Sequence, residues 1–134
     1  MYLFDTDVLS ATLKPRPPAA LLRRLAHVPA AEQHVSTMTI AEIVYGACRS
    51  TRPAHFLRQL TDVLLPELQV VDFDAAAAFH AGRLRAELEG KGVPLPWPDL
   101  QIAAICLARD LTLVTANTRH FVRVPGLRVE NWLA

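Results

Sequence analysis

The chain has 134 residues, 51% of them hydrophobic and 20% charged, with a formal net charge of +1. That is about one domain's length with enough apolar side chain for a real core, which excludes a disordered chain. No apolar run reaches the roughly 18 residues of a membrane span, and a charge this near zero excludes a globally basic nucleic-acid binder.

The N-terminus, MYLFDTD, reads as a short buried strand over residues 1–5 that ends on carboxylates. It lacks the positive start and long apolar stretch of a signal peptide, so a cytoplasmic location and no membrane contact are expected. Val8 to Lys14 predicts a short helix stopped by Pro15, Pro17 and Pro18. Ala19 to Val28 predicts a second, with Leu21, Leu22 and Leu25 apolar and Arg23 and Arg24 outside, ended by Pro29. A short strand follows at 34–36, then a helix from Thr39 to Cys48 with Ile40, Ile43, Val44 and Ala47 on one face. Pro53 to Leu65 predicts a helix stopped by Pro66, and 69–71 a strand. Asp72 or Asp74 caps the long helix DAAAAFHAGRLRAELEGKG, which Gly90 or Gly92 ends. After the loop GVPLPWP, Pro98 suits the first turn of a helix to about Arg109. LTLVT at 111–115 is the clearest strand, and LRV at 127–129 a weaker last one.

Strands that alternate with helices, and are apolar without polar alternation, predict an α/β fold with a parallel sheet covered on both faces. There is no repeat and no low-complexity linker, so residues 1–134 form one expected domain. In such sheets ligands bind beyond the carboxyl ends of strands, where Asp5 and Asn117 fall. Cys48 and Cys106 sit in Ala-rich helical pattern without CxxC spacing, and both are expected as buried small hydrophobes. The five histidines, His27, His34, His55, His80 and His120, show no HExxH motif, so a histidine metal site is not expected. Of the 14 basic residues 12 are Arg, clustered locally at 14–24 and 119–128. Arg suits bidentate contacts to phosphate, although each cluster also reads as a solvated face.

Five residues stand out for chemistry: Asp5, Asp7, Glu42, Asp99 and Asn117. Most have a plain structural alternative. Asp7 or Thr6 could cap the Val8 helix, and Glu42 completes a T-x-x-E capping box from Thr39. Asp99 lies in a first helical turn favoured by the dipole, and Asn117 in TANTRHF suits a turn. Asp5 is harder to explain, because a carboxylate that closes a buried strand needs a partner when ionised and no basic residue is near it in sequence. If Asp5, Glu42 and Asp99 converge, each pair at ~4 Å and an effective dielectric of ~20 repels by about 4 kcal/mol. Caps worth about 1 kcal/mol each do not offset that. A divalent cation would, and an all-oxygen shell selects Mg²⁺ or Mn²⁺ over Zn²⁺.

FDTDVLS resembles the DxD start of haloacid-dehalogenase-type phosphatases, with Asp5 as nucleophile. That reading ranks behind, because LTLVT leads into Ala-Asn-Thr and not two acids, and Lys91 sits at the end of a long helix before a glycine. A non-catalytic RNA- or protein-binding module is the other alternative. The ordered set YLFDTD, TIAEIVYGA, PWPDLQIAA and TLVTANTRHFVRVPGLRVENW covers nearly the whole chain. It resembles the PIN-domain ribonuclease toxins of bacterial VapBC toxin–antitoxin pairs. The resemblance implies a three-layer α/β/α domain with a central parallel sheet of four to five short strands. It also implies a Mg²⁺- or Mn²⁺-dependent endoribonuclease active on structured RNA, with tRNA favoured. Its three acids fall on Asp5, Glu42 and Asp99 as catalytic and metal-binding residues. The fourth position, often acidic in the wider group, is Asn117, and Asp7 stands where relatives often have Asn. Thr6, Asp7, Thr115 and Asn117 are then expected to orient the ligands, and Arg16, Arg119 and Arg123 to contact RNA phosphates. The implied partners are a VapB-type antitoxin, a second copy of the chain in a homodimer, and a toxin–antitoxin hetero-oligomer.

Overall fold

In the computed structural model, which describes residues 1–134, five short strands alternate with seven α-helices. The order is β1 (Tyr2–Phe4), α1 (Thr6–Thr12), α2 (Ala19–Leu25), β2 (Gln33–Ser36), α3 (Thr37–Arg49) and α4 (Pro53–Arg58). Then come β3 (Gln69–Val71), α5 (Ala75–Gly90), α6 (Trp97–Arg109), β4 (Thr112–Val114), α7 (Thr118–Phe121) and β5 (Val129–Glu130). The sheet has the order β3-β2-β1-β4-β5 and every pairing is parallel.

Alternation along each strand divides the core in two. Leu3 and Leu113, paired across β1 and β4, face one side with α5 and α6, where Ala81, Leu84, Ile102 and Ile105 pack. Phe4 and Val114, paired one position on, face the other side with Val8 of α1, Leu21 of α2, Ile43 of α3 and Trp132. Because both faces are covered, the strands carry no polar alternation. The chain lays β1, β2 and β3 outward to one edge, then returns to place β4 on the other side of β1. The crevice beyond the ends of β1 and β4 is therefore the switch point of the sheet, where α/β folds bind ligands.

Several boundaries differ from the sequence reading for identifiable reasons. α1 begins at Thr6, not Val8, because Asp5 caps it. α3 begins at Thr37 because Ser36, not Thr39, is its cap, with Ser36 Oγ accepting from the Thr39 N–H at 3.1 Å. The helix expected over 53–65 is α-helical only to Arg58, then becomes a π-helical turn (Gln59–Leu64) and a 3₁₀ turn (Leu65–Glu67). Pro66 explains the change, since it has no N–H to donate and its ring opposes the carbonyl four residues back. Asp74, not Asp72, caps α5 by accepting from the Ala77 N–H. That helix closes with Gly92 at φ +73° and the Val93 N–H donating to the Leu88 carbonyl, an ending that favours glycine. The four-residue α7 and a 3₁₀ turn at Ala30–Glu32 have no counterpart in the sequence reading. Cys106 is buried as expected but Cys48 is exposed. Ala47 takes the buried position on α3, and Cys48, one residue round the helix, faces out.

Candidate functional site

β1 ends where the chemistry begins. The Asp5 N–H extends the sheet ladder by donating to the Val114 carbonyl at 2.9 Å, and Asp5 Oδ1 caps α1 by accepting from the Thr6 N–H at 2.8 Å. Asp5 Oδ2 accepts from the buried Thr115 hydroxyl at 2.9 Å. Asp7 therefore has no capping task. Its Oδ2 accepts from the Ala116 N–H at 3.0 Å, across the switch point, while its Oδ1 is buried without a partner.

Glu42 reaches the same crevice from α3. The Thr6 hydroxyl donates to Glu42 Oε2 at 2.5 Å and lies 3.4 Å from the Thr39 hydroxyl. The expected capping box from Thr39 is not formed. With Ser36 at the cap, Thr39 holds the third helical position and Glu42 the sixth, beyond reach of the helix start. Asp99 comes from the first turn of α6, where Pro96 supplies no side-chain cap and the helix dipole favours a carboxylate. Its Oδ2 lies 3.3 Å from His120 Nδ1. The Asn117 amide lies 2.9 Å from that same nitrogen, and the Asn117 N–H donates to the Thr115 hydroxyl at 3.0 Å.

The electrostatics bear the mark of converging acids. Burial is the main cause that pushes the Asp5 carboxyl up from 3.8 to about 6. The neighbouring Asp7 and Asp99 carboxylates add to the rise, and the hydrogen bonds from Thr6 and Thr115 oppose it. Cys106, behind Asp5 on α6, is pushed up to about 12, chiefly by burial and also by Asp5, so its thiol is inert.

As the side chains stand, no group of three or more acidic, histidine or cysteine residues is drawn together closely enough to hold a metal ion. The donor set nonetheless fits a hard cation. It is all oxygen, mutually repulsive, and includes the orphaned buried Asp7 Oδ1. Mg²⁺ in particular binds through one or two carboxylates and keeps its remaining waters.

Of the expected residues, Asp5, Thr6, Asp7, Glu42, Asp99, Thr115 and Asn117 are connected by hydrogen bonds or direct charge interaction around one crevice. The arginines are not part of that network. Arg16 and Arg119 are exposed, and Arg123 donates to the Pro94 carbonyl at 3.4 Å. The sequence reading passed over His120 as one of five scattered histidines. Its available signal was the spacing in NTRHF, which sets His120 three residues after Asn117 on one helical turn. Lys91, the lysine a phosphatase would need, pairs with Glu87 at 3.1 Å at the end of α5 remote from its Asp74 cap. Beside the crevice a cleft of about 490 Å³ opens between α1, α3 and α4. It shares Thr6 and Glu42 with the acidic group and is walled by Leu13, Ile43, Ala47 and Phe56.

A family model described as the PIN domain matches residues 2–127. The tRNA(fMet)-specific endonuclease VapC of Salmonella typhimurium is 35% identical over 131 residues, spanning 98% of this chain and 97% of that one. The protein of the same name from Shigella flexneri is 37% identical over the same spans. Among solved structures, VapBC2 from Rickettsia felis bound to a DNA fragment from its promoter superposes with a TM-score of 0.87 at 33% identity, covering 98% of each chain.

Proposed function

The chain belongs to the PIN-domain family, in its VapC branch, and from that premise we propose that it is a metal-dependent endoribonuclease, the toxin of a type II toxin–antitoxin pair. The substrate is structured RNA, tRNA first, since two close relatives carry the name tRNA(fMet)-specific endonuclease. The single observation that carries this reading is Asp5 at the switch point, raised to about 6 by burial and by the Asp7 and Asp99 charges.

Asp5 and Asp99 would hold Mg²⁺ or Mn²⁺, with Glu42 binding directly or through water. The cation supplies a polarised phosphate and a water that ionises near neutral pH. The protein's own groups do the rest. Thr115 and the Thr6 amide fix both oxygens of Asp5, so the carboxylate cannot swing. Thr6 holds Glu42 at the crevice mouth, where Glu42 or Asp5 accepts the proton of the attacking water. In-line attack by water breaks the bond to the 3′ oxygen and leaves a 5′-phosphate and a 3′-hydroxyl. The exposed Arg16 and Arg119 are free to meet backbone phosphates, and Arg123, exposed with one bond to the Pro94 carbonyl, keeps further donors for them.

The proposed partner is a VapB-type antitoxin, in keeping with relatives solved as VapBC complexes. Its apolar helix would occupy the cleft between α1, α3 and α4, and a basic side chain would enter beside Glu42. A homodimer of the toxin within a hetero-oligomer follows the same family pattern. No helix is long and apolar enough to cross a membrane, and the proposed site of action is the cytoplasm.

Wild type and Asp5→Ala incubated with total RNA and Mg²⁺, followed by mapping of new 5′ ends, test this. Cuts in one structured loop, bearing 5′-phosphates and lost in the variant and in excess EDTA, are expected. Full cleavage in EDTA, or 2′,3′-cyclic phosphate ends, would contradict the metal-dependent mechanism, and no cleavage at all would leave a non-catalytic binding module.

A further inference from the structure

We propose that His120, braced by Asn117, is the positioning residue that orients the Asp99 carboxylate toward a bound divalent cation. The inference rests on the metal-dependent reading above and assigns a residue that the acidic set does not include.

Asp99 has little else to hold it. Its only hydrogen-bond partner is His120 Nδ1, at 3.3 Å. The α6 start gives it no reciprocal cap, because Pro96 occupies the cap position. A carboxylate turns easily about its last torsion, so an acid with one neighbour takes its angle from that neighbour. The ring has a second partner that the acid lacks. Asn117 meets Nδ1 at 2.9 Å, and the Asn117 N–H is tied to the Thr115 hydroxyl, which in turn holds Asp5. Next in sequence, Phe121 is fully buried in the core and anchors the four-residue α7 that carries the ring. One segment, 115–120, thus grips Asp5 at one end and Asp99 at the other.

The shared nitrogen dictates a proton position. Nδ1 faces both the Asn117 amide and Asp99 Oδ2, and a carboxylate can only accept. The atom set against Nδ1 is Asn117 Nδ2, and the arrangement that satisfies all three groups is Nδ1–H donating to Asp99 with the Asn117 amide turned over so that its oxygen accepts from the same hydrogen; amide orientation is free to be assigned this way. Nε2 is then unprotonated in the neutral ring. Asn117, the residue at the often-acidic fourth position, acts on Asp99 through the ring. Groups that orient a metal ligand in this way typically change metal affinity by about 10–100-fold when removed.

Titration calorimetry with Mn²⁺, alongside melting temperatures, tests the assignment on His120→Ala, His120→Asn and His120→Gln. An Asn amide nitrogen falls where Nδ1 was, and a Gln amide nitrogen where Nε2 was. Expected is Mn²⁺ affinity at least about tenfold weaker in His120→Ala, largely recovered by His120→Asn and not by His120→Gln, with melting temperatures alike. Asn117→Ala should weaken affinity too, and add nothing once His120 is Ala. Equal recovery by Gln and Asn, unchanged affinity in His120→Ala, or a loss that follows melting temperature alone would overturn the assignment. RNA cleavage by the wild type reports separately on the nuclease reading. Cleavage with no change in His120→Ala affinity removes this inference alone, and an affinity loss without any cleavage removes the reading alone.

Discussion

Asp5 is asked to be charged in a place that resists charge. It caps α1 and receives the Thr115 hydroxyl, yet burial and two neighbouring acids raise its carboxyl from 3.8 to about 6. A group whose folded value lies above its unfolded value binds its proton more tightly when folded. Its effect on stability is nil below about pH 4, turns unfavourable as pH rises toward 6, and then stays constant. The full effect is roughly 3 kcal/mol by linkage. Without metal, Asp5→Asn should therefore melt higher than wild type at pH 8, and the gap should close as pH falls through 6 to 4. Asn can still cap through Oδ1 and meet Thr115 through its amide. Thermal melts in EDTA across that range check this; a gap that widens on acidification would contradict it. Asp5 was legible in the sequence because an acid closing a buried strand invites explanation, whereas Asp99, in a first turn that the dipole alone would account for, stood out only through the family resemblance. His120 was not, because its role depends on α7, a four-residue helix below the length at which periodicity can be read.

At the level of elements, α3 carries Glu42 and its start is set by Ser36. Ser36→Ala removes the acceptor of the Thr39 N–H where both residues are fully buried. It should cost about 1 kcal/mol, within a range of roughly 0.5–2, read as a lower denaturation midpoint. The same helix carries Gly46, where an added Cβ would meet nothing within 4 Å. Gly46→Ala should stabilise by roughly 0.5–1 kcal/mol through helix propensity alone; a loss of stability would show that the site needs glycine for another reason. The T-x-x-E pattern at Thr39 was a true motif attached to the wrong start. The deciding fact, that the buried Ser36 ends β2, belongs to the sheet and not to the local string. Pro66 was read as the stop of an α-helix over 53–65, but the α-helix ends at Arg58 and Pro66 sits inside the 3₁₀ turn Leu65–Glu67; the π and 3₁₀ turns are a matter of backbone hydrogen bonding that residue types alone do not reveal.

For the whole molecule, the sheet order decides the function. Apolar strands without alternation announced a covered parallel sheet, and the two packed faces of β1 and β4 bear that out. What sequence order cannot display is that the last long strand returns beside the first, so that Asp5 and Thr115 meet although 110 residues separate them. Around that strand end Asp5 feels the charges of Asp7 and of Asp99 from α6, the Thr6 hydroxyl ties in Glu42 from α3, and Asp7 Oδ1 is buried without a partner. The central claim is that this crevice is a divalent-cation site. Anomalous diffraction from crystals soaked in Mn²⁺ tests it most directly. The account predicts a single strong peak about 2 Å from carboxylate oxygens of both Asp5 and Asp99, absent in Asp5→Asn; a peak bound elsewhere, or one that persists unchanged in that variant, would contradict it.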